Sequence, residues 1–203
     1  MKISGNSSEN EMVSLFLSEE IKSERWKNEI VKIMELNNIK NNVILNPNLN
    51  DENENNLRKQ ILKQFRGYNN TEIFENFPQN MKWNWAILDK NDIQKIKYIK
   101  YDYWEELSNG IRLAKDSVKN IQNNIEIFEV KNDNFIKLSE YIKNGNIFDP
   151  LIIIASNENN EKMVVLEGHV RLTAICLSIE YINEIKVLIG FVKEDKLNKW
   201  NEY

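Results

Sequence analysis

With 203 residues, 41% of them hydrophobic, the chain can bury a core as one large domain or two small ones, yet no apolar run is long enough to span a bilayer. The opening MKISGNSSENE lacks the apolar stretch of a secretory leader, and a single cysteine, Cys176, excludes an intramolecular disulfide and a Cys-only metal cage, so the cytoplasm is the expected location. Residues 125–203 carry 9 Lys/Arg against 13 Asp/Glu, leaving 18 and 18 for residues 1–124, so neither half has the basic excess of a strong nucleic-acid binder.

In chain order, residues 1–9 are polar and read as a frayed end. Over residues 11–36, Met12, Leu15 or Phe16, Trp26, Ile30, Ile33 and Met34 recur at three-to-four spacing, which predicts one helix. The Asn-rich stretch 37–56, with Pro47, predicts a loop holding a short extended piece at Val43-Ile44-Leu45. Asp51-x-x-Glu54 has the form of a capping box. It opens a helix to Phe65 with Leu57, Ile61, Leu62 and Phe65 on one face, and Gly67 stops it. One further helical turn is expected over 71–77, before Pro78.

Residues 81–88, MKWNWAIL, stay open. Trp83 and Trp85 alternate with polar residues as on a strand, while Trp85, Leu88 and Ile93 fit the start of a helix. Ile93, Ile96 and Ile99, three apart, favour a helix over 91–101. Trp104, Leu107, Ile111, Leu113 or Ala114, and Val118 favour another over 103–121, which Gly110 either weakens by about 1 kcal/mol or breaks near Ser108.

After Asn124 the pattern changes. IEIFEV, with Ile125, Ile127 and Val130, is strand-like. Asp133 is expected to cap a helix carrying Phe135, Leu138, Tyr141 and Ile142, ended by Gly145. Leu151 to Ile154 reads as a buried strand. A polar, hairpin-like connection over 157–162 leads to a strand at 163–166, a turn, a helix to about 182, a last strand at 186–192 and a tail helix with Trp200. The expected organisation is α+β: a mostly helical region 1–122 packed on a small α/β core, 123–203.

The chemistry concentrates in the turn Glu167-Gly168-His169-Val170-Arg171, which holds the one histidine and one of five arginines. A strand feeding a helix through a glycine turn exposes backbone N–H groups whose dipoles favour an anion. Gly168 admits backbone conformations closed to other residues. Arg171 suits a bidentate phosphate contact, His169 can donate to phosphate or move a proton, Glu167 can bind magnesium or act as a base, and Thr173 adds a hydroxyl. Plainer readings stand beside these: an Arg171–Glu167 structural ion pair, a histidine sitting in a polar turn, a buried Cys176. Trp83, Trp85 and Trp104 read as core rather than base-stacking platforms. The basic and aromatic stretch 95–101 reads as an amphipathic helix as readily as a nucleic-acid surface. One histidine and one cysteine leave little for a zinc site.

PLIIIAS, the connection, and MVVLEGHVRLTAICLSIEYINEIKVLIGFV together resemble the core of the ParB/sulfiredoxin-like superfamily, with its strand, G-x-x-R turn, helix and following strand. The resemblance covers roughly residues 125–192. It implies a nucleotide or phosphate site at the helix start, with Gly168 and Arg171 matching the motif's glycine and arginine. Sulfiredoxins place a cysteine where this chain has His169, which argues against sulfinic-acid reduction. Partition ParB proteins carry an acidic-arginine-arginine turn and a downstream helix-turn-helix domain, which argues against chromosome partition. The Gly-His-x-Arg form after Glu167 is nearest to the free-serine kinase branch, although Val170 stands where that branch has a second histidine. No motif places the family's upstream catalytic carboxylate, and residues 1–122 resemble nothing nameable.

The expectation is therefore a phosphate-binding protein taking ATP or CTP with Mg²⁺ at Gly168, His169, Arg171 and Thr173. His169 and Glu167 would assist phosphoryl transfer to a small molecule, or nucleotide hydrolysis. The alternative is a catalytically degenerate module whose helical half forms a homodimer or docks a protein partner. A DNA-directed nuclease or DNA-binding protein is the weaker alternative. No membrane partner is expected.

Overall fold

The computed structural model describes residues 1–156 and 162–202. Its strands form one mixed sheet in the order β1-β2-β6-β4-β5-β3, where β1 is Lys2–Asn6, β2 Lys82–Asp89, β3 Ile96–Lys97, β4 Leu151–Ala155, β5 Met163–Glu167 and β6 Glu184–Phe191. Along β6, β2 pairs antiparallel from Lys82↔Phe191 to Asp89↔Glu184, and β4 pairs parallel from Leu151↔Val187 to Ala155↔Phe191. β5 is antiparallel to β4 and parallel to β3. Every residue of β4 is buried, as is Met163 to Leu166 of β5. Successive side chains point to opposite faces, so both faces of these strands are covered, and their sequences are continuous apolar runs for that reason. A mixed sheet with flanking helices makes the protein α+β.

The chain forms two compact units, Met1–Asn6 with Lys82–Tyr203, and Ser7–Met81. The division thus falls elsewhere than the 122/123 boundary drawn from sequence character. The reason is β2, whose whole length pairs with β6 and ties residues 82 onward to the sheet. Among the described residues no helix is long and apolar enough to cross a membrane.

In the helical unit, α1 is Glu9–Glu20, α2 Lys27–Leu36, α3 Asn42–Leu45 and α4 Glu52–Arg66. The single helix expected over 11–36 breaks between α1 and α2, where Lys22-Ser23-Glu24-Arg25 offers no apolar side chain to bury. The Ser23 carbonyl there accepts from Trp26 N and Lys27 N at 3.1 and 2.9 Å. Val43-Ile44-Leu45 is helical rather than extended, and the fully buried Arg58 explains how its loop is held. Arg58 donates to Val43 O (2.8 Å), Asn48 O (3.2 Å), Asn55 Oδ1 and Glu54 (3.2 Å). Asp51 caps α4 as expected, accepting from Asn53 N and Glu54 N at 2.9 and 3.3 Å, and Gly67 ends it at φ 67°. Glu54 departs from the reciprocal box: its carboxylate takes Asn48 N at 2.9 Å. α1 is tied to α4 through Glu9, which accepts from the Tyr68 hydroxyl at 2.5 Å and from Lys59 at 2.9 Å.

In the α/β unit, α5 is Lys90–Ile93, α6 Asp102–Leu107, α7 Ser117–Gln122, α8 Asp133–Lys143, α9 His169–Leu177 and α10 Glu194–Asn201. Several expectations are corrected. The polar start is β1, held by pairing with β2 and by a 2.5 Å contact of the Met1 amino group with buried Asp92. The helix expected over 91–101 is α5 followed by β3, which sets Ile96 and Tyr98 two apart, both fully buried. The 103–121 segment breaks at Ser108–Gly110, with Gly110 at φ 81°. IEIFEV is a tight turn closed by one Ile127↔Val130 bridge, with Phe128 and Glu129 both left-handed at φ 49° and 61°. Asn132, not Asp133, sits at the cap of α8. The hairpin-like connection lies outside the described residues at 157–161.

Asp51→Ala removes one cap and is expected to cost about 1 kcal/mol. Arg58→Ala leaves buried carbonyls unsatisfied and is expected to cost about 3 kcal/mol or more. Urea titration of both variants checks the ranking. Burial pushes the Glu9 carboxyl up, but the Tyr68 and Lys59 hydrogen bonds outweigh it and hold the group below its usual 4.5. A depressed carboxyl stabilises above that range and loses the contribution as pH falls through it. Melting profiles against pH are therefore expected to fall less steeply on acidification in Glu9→Gln than in the parent.

Candidate functional site

The site is built by the junction of β5 and α9. Gly168 is buried and left-handed, φ 98° and ψ 28°, and its carbonyl accepts the first helical bond from Leu172 N at 2.8 Å. Only glycine adopts this geometry without strain. Space demands it too: a Cβ here would lie 2.5 Å from Leu151 Cδ2 and 3.2 Å from both Nε and Nη2 of Arg171. The Arg171 guanidinium is thus folded back against the Gly168 backbone. Its Nη2 bonds the Glu167 carboxylate, and the two side chains are only 12% and 14% exposed. α9 is nine residues long, with no acidic residue in its first turn, and its cap residue has no side chain to take up the first amides.

His169 opens α9 with its ring nearly parallel to two aromatic rings. Trp104 lies at 5.1 Å and 20°, Tyr98 at 6.2 Å and 17°, and these two stack on each other at 4.6 Å. Thr173 is fully buried, and its hydroxyl donates to the His169 carbonyl at 2.8 Å. The Tyr98 hydroxyl meets Thr173 Oγ1 at 2.6 Å and Ser117 Oγ at 3.1 Å, while Ser117 donates to Ala114 O at 2.7 Å. With the Thr173 and Ser117 protons committed to carbonyls, Tyr98 is the donor in this chain, to Thr173 at the shorter distance. Burial first, and the neighbouring Cys176 second, keep the Tyr98 hydroxyl well above its usual pKa, so it stays a donor. Cys176 is itself pushed up to about 12, mainly by burial, and is an inert small side chain, as its apolar surroundings in the sequence suggest.

The turn therefore brings together Glu167, Gly168, His169 and Arg171. Thr173, expected at the phosphate, serves the interior instead. Glu167, expected at magnesium or as a base, is engaged with Arg171. Among the described residues no group of three or more His, Cys, Asp or Glu is placed to hold a metal ion. Tyr98, Trp104 and Ser117 were not anticipated. The buried alternation of Ile96 and Tyr98 was the available signal, and the three-apart isoleucines masked it.

Gly168→Ala forces a Cβ into Leu151 at a left-handed position. It is expected to cost about 2 kcal/mol and to lower Tm by about 4–8 °C in a calorimetric melt. An unchanged Tm would show that the turn relaxes freely.

Comparison of the chain with protein-family models, with curated proteins and with solved structures returns no match.

Proposed function

We propose that the turn from β5 into α9 binds a phosphate-bearing ligand of the nucleotide class, ATP or CTP, through the first amides of α9 and the Arg171 guanidinium. The observation that carries this reading is the guanidinium packed against Gly168, beside a helix start whose cap residue has no side chain. Helix amides and dipole favour an anion there. A cation at the same end is unfavourable for the helix alone, and the Glu167 carboxylate already offsets it. A planar guanidinium suits bidentate contact with a phosphate as well as with a carboxylate. Glu167 then acts as the positioning residue for Arg171. The order β4, β5, glycine turn, α9, β6 also fits the ParB/sulfiredoxin-like resemblance. His169, next to the amides and flat against Trp104, would donate to a phosphate oxygen or move a proton. Phosphoryl transfer to a small molecule, or nucleotide hydrolysis, is the chemistry such a site would perform.

A second reading takes the Glu167–Arg171 pair as purely structural and the chain as an interaction module. In the helical unit, which would make that contact, Leu36 and Leu45 are exposed, at 73% and 58%.

Calorimetry and thermal shift with ATP, CTP, GTP and pyrophosphate, each with Mg²⁺, separate the two. A bound ligand at 100 times its Kd stabilises by about 2.7 kcal/mol. The phosphate reading expects a shift with at least one of the four, lost or weakened about tenfold or more in Arg171→Ala. A shift that survives Arg171→Ala, or no shift with any ligand, contradicts it.

A further inference from the structure

α10 lies on a set of basic residues whose bonds to it are those an anion would make. At its start, Lys162 pairs with Glu194 at 2.6 Å and reaches Asn198 Oδ1 at 3.5 Å. At its end, Lys100 pairs with Glu202 through its ammonium and donates its backbone N–H to Asn201 Oδ1 at 2.8 Å. Arg112 is buried there and donates to the carbonyls of Asn201 and Glu202 at 2.9 and 2.6 Å. Those carbonyls are the negative end of the helix dipole.

Lys97 lies within reach of two of these charges. The Lys97 ammonium is held below its usual range, first by partial burial and then by the positive charges of Arg112 and Lys162. Arg112 also occupies a left-handed conformation at φ 63°, a strained choice for a side-chain-bearing residue, and that strain sits at the clamp. Leu197 and Asn201 of α10 are buried, while the carboxylates of the Lys162–Glu194 and Lys100–Glu202 pairs are 52% and 69% exposed. Such pairs are weak and screened by salt.

We propose that α10 is an autoinhibitory strap, its glutamates and terminal carbonyls occupying an anion-binding shelf of Lys97, Lys100, Arg112 and Lys162 that a polyphosphate chain takes when the strap lifts. Eight helical residues span about 12 Å. Tripolyphosphate is shorter than this, so it takes Lys100 and Arg112 together at the Asn201–Glu202 end, and a single orthophosphate spans fewer of these groups. The shelf is distinct from the β5–α9 turn and stands or falls separately.

The test uses the full chain carrying Arg171→Ala, which removes the arginine of the turn. Hydrogen exchange of residues 194–201 is followed with saturating tripolyphosphate, with ATP and with orthophosphate. Tripolyphosphate is expected to speed exchange about tenfold or more, and orthophosphate to leave it unchanged. ATP beside tripolyphosphate tells whether a nucleoside is carried with the phosphate chain. Glu194→Gln with Glu202→Gln is expected to tighten tripolyphosphate binding about tenfold, and Lys100→Gln with Lys162→Gln to abolish it. Exchange in α10 that ignores tripolyphosphate, or equal affinity in the glutamate variant and its parent, overturns the proposal.

Discussion

The chain leaves β5 and enters α9 through a left-handed peptide at Gly168, and the rest of the site depends on that backbone conformation. Because the position has no Cβ, Leu151 of β4 and the Arg171 guanidinium can both press into the space a Cβ would fill. Because the turn is sharp, the first amides of α9 lie next to a charged pair formed one turn apart, Glu167 and Arg171. A side chain here would separate these groups.

The site is held from beneath by groups far away in sequence. Tyr98, just after β3, reaches Thr173 on α9 and Ser117 on α7, and Thr173 passes the bond on to the His169 carbonyl. Trp104 of α6 lies flat beside the imidazole. The two-residue strand β3, paired parallel to β5 at Ile96↔Met163 and Lys97↔Val164, sets where Tyr98 begins. This is why the segment between residues 82 and 122 belongs with the α/β unit: it supplies both a full strand and the floor of the turn.

Legibility in the sequence followed how local the determining interaction was. Asp51 and Gly67 announced α4, and the apolar runs at 151–155 and 163–166 announced β4 and β5, because capping and continuous burial are written in neighbouring residues. Gly168, His169 and Arg171 could be picked out for the same reason. β1 could not, since Ile3 is the lone large apolar residue in Lys2–Asn6 and the strand exists through its pairing with β2. The Glu167–Arg171 pair was an open alternative in the sequence, but the burial of Thr173 depends on tertiary neighbours and was not visible. Phe128 and Glu129 adopt left-handed turn positions that sequence rules reserve for Asn and Gly, so the strand expected there gave way to a turn.

Anion binding at the turn is tested most directly by titrating the ¹⁵N-labelled chain with pyrophosphate and following the backbone amides of His169, Val170 and Arg171. These three amides are expected to move first and furthest, with the Arg171 side-chain Nε–H alongside them, and the response is expected to disappear in Arg171→Ala. If these amides stay in place while others respond, or if nothing responds at all, the turn is not an anion site and its ion pair is structural.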